Sequence, residues 1–139
     1  MVADLSERPS ARWRRSVEQQ RVRVAAGELA ADKAYAAQLW PAGFIAAIDA
    51  VLAVYEQEVA GWGGSPTSGS PTDEQVWAAV ERAVVGLNDA DDGHIETGER
   101  EDLAEYLDRV LTGAGVDVEA LTAGRGLERG ELTDQWRDW

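Results

Sequence analysis

A chain of 139 residues is long enough to bury the core of one ordinary domain, and its lack of cysteine excludes disulfides, thiolate metal sites and cysteine nucleophiles. With 26 acids against 13 bases the formal charge is −13, a field that repels phosphate backbones and favours cationic surfaces or metal ions. No run approaches the roughly 18 apolar residues of a membrane span, and residues 1–15 lack the apolar centre of a signal peptide. A cytoplasmic protein with no membrane and no nucleic-acid partner is therefore expected.

The charge is unevenly spread. Residues 1–40 hold seven bases and five acids, a net +2, whereas residues 41–139 hold six bases and 21 acids, a net −15. Twelve of the 13 bases are arginine, with Lys33 alone, in a chain rich in Ala, Gly and Val. Such usage points to a GC-rich bacterial genome.

Taken in order, residues 1–9 read as a loose arm. A first helix is expected over 10–40, with Trp13, Val17, Val24, Ala25, Leu29 and Leu39 as a stripe interrupted by Gly27, and Pro41 as its stop. A second follows over 42–60, where Phe44, Ile45, Ile48, Val51, Leu52, Tyr55, Val59 and Trp62 recur at threes and fours. This is the cleanest amphipathic pattern and the expected centre of the core. The Gly/Ser/Pro stretch 61–71 reads as a flexible loop that divides a helical hairpin (10–60) from a second unit (72–139) or simply joins parts of one domain.

Thr72 and Gln75 have the spacing of a capping box, with Asp73 and Glu74 at the positive end of the helix dipole. Val76, Trp77, Val80, Val84 and Leu87 form the buried face of this third helix. A fourth is expected over 97–111, burying Leu103, Leu107, Val110 and Leu111, and ended by Gly113 and Gly115. The tail holds a short helix over 117–123 and a last turn after Thr133. The expected fold is all-α: a small bundle of about four main helices plus a short helical C-terminal tail.

Between the third and fourth helices lies Asn-Asp-Ala-Asp-Asp-Gly-His-Ile-Glu-Thr-Gly-Glu, residues 88–99, with the only histidine. With Gly93 at the sixth position, this turn resembles an EF-hand calcium loop. The resemblance implies Asn88, Asp92, His94 (through its carbonyl), Glu96 and Glu99 as ligands, with Ile95 at the hydrophobic eighth position. Position 3 is Ala90, which offers no ligand oxygen, and position 1 is Asn rather than Asp. The site so implied holds calcium weakly, with a dissociation constant on the order of 0.1–1 mM. Read without a metal, the same turn offers Asp92-Gly93 as a left-handed bend, Ile95 as a hydrophobic staple and Thr97 as a helix cap.

A nucleophilic triad would have to use His94, for which no partner serine is nominated, and a carboxylate-bridged di-iron bundle needs two histidines. Residues 117–136 resemble a helix-turn-helix, with Leu121, Gly126, Leu127, Leu132 and Trp136 at core and turn positions. Glu131 and Asp134 on the would-be recognition helix oppose base reading. The arginines of the first helix (Arg12, Arg14, Arg15, Arg21, Arg23) are expected to pair with the acidic half of the chain or with a second copy, which leaves a homo-oligomer open. Trp40, Trp62 and Trp77 lie on apolar stripes, while Trp136 and Trp139 either tuck onto the domain or anchor a partner.

No catalytic set and no cofactor are expected, calcium being the alternative. The profile resembles, in general character, that of immunity proteins, inhibitors and DNA mimics. It implies a non-catalytic module that engages a cationic protein through Glu96, Glu99, Glu101, Asp102, Glu105 and Asp108, with Trp136 and Trp139 as anchors.

Overall fold

The structure, a computed structural model, describes residues 7–62 and 71–139; the arm's first six residues and positions 63–70 of the Gly/Ser/Pro stretch lie outside them. The described residues form an all-α bundle without strands. Its long helices are α1 (Pro9–Ala25), α3 (Ala42–Trp62), α4 (Asp73–Ala90) and α5 (Thr97–Gly113). Two short helices, α2 (Ala36–Leu39) and α6 (Val118–Ala123), and single 3-10 turns at Ala31–Lys33 and Arg129–Glu131 complete it. None of these helices is long and apolar enough to cross a membrane.

The single helix expected over 10–40 is a hairpin. Gly27 adopts φ +77°, and the N–H groups of Gly27 and Glu28 close back onto the carbonyls of Val24 (3.1 Å) and Arg23 (2.9 Å). That pattern of bonds caps α1 after Ala25, and only glycine takes this backbone conformation without strain. The alanines beyond it have helix propensity but no apolar stripe to bury, so they form one turn at a time. Gln20 fastens the return, its side-chain oxygen accepting the Ala36 N–H at 2.8 Å. Leu39 ends up 47 % exposed rather than on the core stripe.

The centre of the bundle is α3, which buries Phe44, Ile45, Ile48, Leu52, Tyr55 and Val59 and runs two residues beyond its expected end. Across it α4 lays Val76, Trp77, Val80, Val84 and Leu87, and begins with the expected reciprocal box: Thr72 Oγ1 accepts from Gln75 N–H (3.1 Å) while Gln75 Oε1 accepts from Thr72 N–H (2.8 Å). Leu103, Leu107 and Leu111 of α5 close the core with Tyr106; Val110 is only half-buried. Gly115, at φ +89°, terminates α5 with a Val116 N–H bond to the Leu111 carbonyl. After α6 the chain makes only the 3-10 turn and loose turns, so the recognition helix of a helix-turn-helix is not formed. One core cluster runs from Trp13 to Trp139.

A polar clamp holds the start of α1. Arg8 forks onto Glu56, with Nε–Oε2 at 2.7 Å and a second bond to Oε1 at 2.8 Å, and reaches Asp49 at 3.0 Å. The buried Ser10 hydroxyl donates to Asp49 (2.8 Å), and the Tyr106 hydroxyl donates to Glu56 (2.6 Å). The Arg8 bond pulls Glu56 below the usual carboxylate range against the opposing effect of burial. For Asp49 burial pushes upward, yet Ser10 and Arg8 together leave it lowered as well. Burial and the Glu56 carboxylate push the Tyr106 phenol up.

Because both carboxylates titrate below their unfolded values, the clamp's contribution is complete above the ordinary carboxylate range and disappears as the pH falls through the depressed folded values. Glu56→Gln should cost about 1–3 kcal/mol at neutral pH and flatten the acid limb of stability against pH. Urea melts of both proteins from neutral to acid pH check this, and superimposable curves would show the clamp to be idle.

Candidate functional site

The acidic turn is built by Asp91, which sequence spacing did not nominate. Its Oδ1 accepts the N–H groups of Gly93 (2.9 Å), His94 (3.1 Å) and Ile95 (3.1 Å), folding the chain tightly around Gly93 at φ +99°. Ile95 is thereby turned into the core. The cap of α5 is Glu96 rather than Thr97, and Glu99 Oε1 accepts the Glu96 N–H at 3.0 Å. His94 lies 3.5 Å from Asp92 and packs on Phe44, the end of an aromatic row that continues through Trp13 to Trp40.

The residues that would ligate calcium are not gathered. Asn88 sits inside α4, where its Nδ2 donates to the Trp136 carbonyl (2.7 Å) and its Oδ1 accepts the Asp138 N–H (2.9 Å). Both ends of that amide hold the tail. Glu99 is engaged at both oxygens, since Oε2 also accepts from Trp40 Nε1 at 3.3 Å. Among the described residues no group of three or more His, Asp or Glu is placed to hold a metal ion. Calorimetry with millimolar calcium should therefore give no binding heat; a heat that vanishes in Glu99→Gln would restore the EF-hand interpretation.

The two terminal tryptophans differ in exposure. Trp139 is 6 % exposed and its carbonyl accepts from Arg100 Nε at 3.1 Å, while Arg137 lies over its ring. Trp136 is half-buried and packs edge-on against Trp77, over whose ring Arg125 lies. Trp139 is packed internally, and Trp136 keeps part of its surface in solvent. Asn88→Ala removes both bonds to the tail and should cost about 1–3 kcal/mol. A red shift of tryptophan emission at native helicity would report the freed rings, whereas unchanged emission would show the tail held without Asn88.

The acids of α5 divide by what the fold brings to them. Asp102 meets Arg12 at 3.4 Å, Glu105 pairs with Arg109, and Asp108 takes a two-pronged bond from Arg129 (2.7 and 2.8 Å) plus the Thr112 hydroxyl. Burial opposes ionisation of Asp108, but Arg129 and Thr112 hold its carboxyl below the usual range. Arg129 comes from the tail, 21 residues away in sequence, and its contribution was invisible in the local pattern. Of the other arginines of α1, Arg15 pairs with Glu7 and Arg21 with Glu18, while Arg14 lies near Asp49 of α3. Asp89, Asp92, Glu96 and Glu101 remain exposed, and no arginine is ion-paired to them among the described residues.

Beside these acids runs a groove of about 470 Å³ between α5 and the Arg129–Glu131 turn, lined by Glu101, Ala104, Glu105, Asp108, Gly130 and Leu132 and by two arginines, Arg109 and Arg129. Its walls are apolar at Ala104 and Leu132 and acidic along one rim. Glu105 and Asp108 are already answered by those arginines, so an extended cationic side chain suits the groove with its aliphatic stem against the apolar wall and its head at Glu101. No protein-family model, curated protein or solved structure matches this chain.

Proposed function

We propose that this protein is a non-catalytic binding module that captures a cationic protein surface at the α4–α5 end, in the manner of an inhibitor or immunity protein. One observation carries this: nine acids lie between Asp89 and Asp108, and the fold supplies ion-pairing arginines to only three of them, Asp102, Glu105 and Asp108. The surplus is turned outward at Asp89, Asp92, Glu96 and Glu101 rather than folded away. Such a field steers a basic partner into encounter, and the α5 groove then receives its arginine or lysine side chains. Of the eight residues nominated from sequence, Glu96, Glu101 and Glu105 belong to this surface. Glu99, Asp102 and Asp108 serve it indirectly, through their internal bonds, and Trp139 supports it from within, with the half-buried Trp136 packed against Trp77.

Association kinetics with an arginine- and lysine-rich peptide test the assignment. The on-rate should fall steeply with added salt, and the pair Glu96→Lys and Glu101→Lys should slow it by about tenfold or more. A control of the same charge change, Asp73→Lys with Glu74→Lys in the first turn of α4, should have a much smaller effect. Equal losses in both would reduce the behaviour to overall charge, and an on-rate indifferent to salt would sink the proposal.

A further inference from the structure

Away from the acidic end, α3 presents a surface of opposite character. Every exposed residue of this helix is uncharged: Ala42, Gly43, Ala46, Ala50, Val54, Gln57, Ala60 and Gly61. Val54, at 60 % exposure, is the most exposed large apolar side chain among the described residues, and Val85 on α4 is 42 % exposed. Between the two helices lies an apolar groove of about 300 Å³ that includes Val51, Val54, Ala79, Ala83 and Gly86. The carboxylates of α3 are answered locally, Asp49 and Glu56 by Arg8 and Glu58 by Arg82, with Arg14 near Asp49. With Glu81 of α4 also beside Arg82, three arginines here meet four carboxylates, a local charge of about −1 on a molecule whose total charge is −13.

We propose that this face is covered by a second copy of the chain, with the two α3 helices antiparallel about a two-fold axis at Ala50. Two such acidic chains repel wherever unpaired carboxylates meet, so an apolar face of low net charge is where they approach most easily. The ridge is also self-complementary. A two-fold at Ala50 sets the projecting Val54 of one copy on Ala46 of the other and Gln57 on Gly43, each larger side chain meeting a smaller one, with the half-buried Ala53 and Ala47 meeting as equals beside them. Each Val54 then borders the other copy's groove.

Charge placement favours the same arrangement. His94 packs on Phe44, so the acidic turn sits at the N-terminal end of α3, and an antiparallel pair carries its two acidic turns to opposite ends. A Cβ on Gly86 would lie 3.0 Å from Val51 Cγ1, which makes Gly86 level with the proposed axis. Arg82 and the exposed Asp89 fall on either side of that level, so Arg82 of each copy comes over the Asp89 region of the other. A single ridge of about four turns makes a small interface as specific interfaces go, and predicts a dimer that dissociates on dilution.

Sedimentation equilibrium of the full chain over a range of concentration and salt tests this. The expected result is a monomer–dimer equilibrium that tightens as salt rises, the reverse of the cationic-peptide response, because screening relieves repulsion between like-charged copies. Val54→Asp should weaken the dimer by about 100-fold with unchanged circular dichroism. Exchanging the rim charges (Arg82→Asp with Asp89→Arg) should recover association that either change alone reduces. In this cysteine-free chain, Ala50→Cys should oxidise to a covalent dimer of native helicity, whereas Ala25→Cys on α1 should not. A monomer at every concentration, or association untouched by Val54→Asp, would overturn the proposal. Glu96→Lys with Glu101→Lys should leave dimerisation intact, so the two surfaces fail or stand separately.

Discussion

The three carboxylates of α3 govern how everything else is arranged. This helix has Asp49, Glu56 and Glu58 and no basic residue of its own, yet it is the apolar centre of the bundle. Half-buried carboxylates without partners would lose hydration and gain nothing in exchange. The arginines that answer them come from its two flanks, Arg8 at the start of α1 and Arg82 on α4. Matching these charges sets α1 along one side of α3 and α4 along the other. Tyr106 then extends the first match to α5 through Glu56, so three long helices meet at one charge-assisted network.

This solution determines where the remaining charge goes. Arg8, Arg82 and the neighbouring Arg14 keep the α3 side close to balance, while Arg12, Arg109 and Arg129 each answer one acid on α5. With half as many bases as acids, local pairing cannot be extended over the whole surface. Part of the excess lies around the α4–α5 turn, where Asp91 is occupied with backbone N–H groups and Asp89, Asp92 and Glu96 face solvent, and the rest is spread over exposed acids such as Asp73, Glu74, Asp117 and Glu119. The same economy of arginines that fixes the helices thus leaves the α3 side near neutrality and the α4–α5 turn acidic.

What could be read from the sequence was whatever depends on near neighbours. The Thr72/Gln75 box, the α3 stripe and the close of α5 at Gly115 are local, and each appears as its spacing implies. The break of α1 at Gly27 was locally encoded too, but it lay within a run of alanines whose helix propensity points the other way. Propensity yielded because no continuous apolar stripe crosses 26–40, and Gly27 allowed the reversal. The roles of Asn88, Glu99 and Trp139 were not legible, for a different reason. Asn88 bonds a tail 48 to 50 residues away, and Glu99 takes its indole donor from Trp40, 59 residues away. Spacing within a twelve-residue window carries no information about such partners.

That same distinction explains why a metal-loop pattern and a solvent-facing acidic surface coexist in one stretch. The side chains best placed by spacing to be ligands, Asn88 and Glu99, are the ones tertiary structure draws inward, because short polar side chains beside a helix junction are within reach of unpaired backbone groups there. Those left facing water, Asp89, Asp92, Glu96 and Glu101, have the looser spacing of a solvated face. Steering a cationic partner needs only summed charge and an open approach, whereas holding a cation needs several oxygens converging at fixed distances. The acidic end meets the first requirement and lacks the second. If two copies join through α3, two such ends point away from each other, and a partner bearing separated basic patches would be held at both.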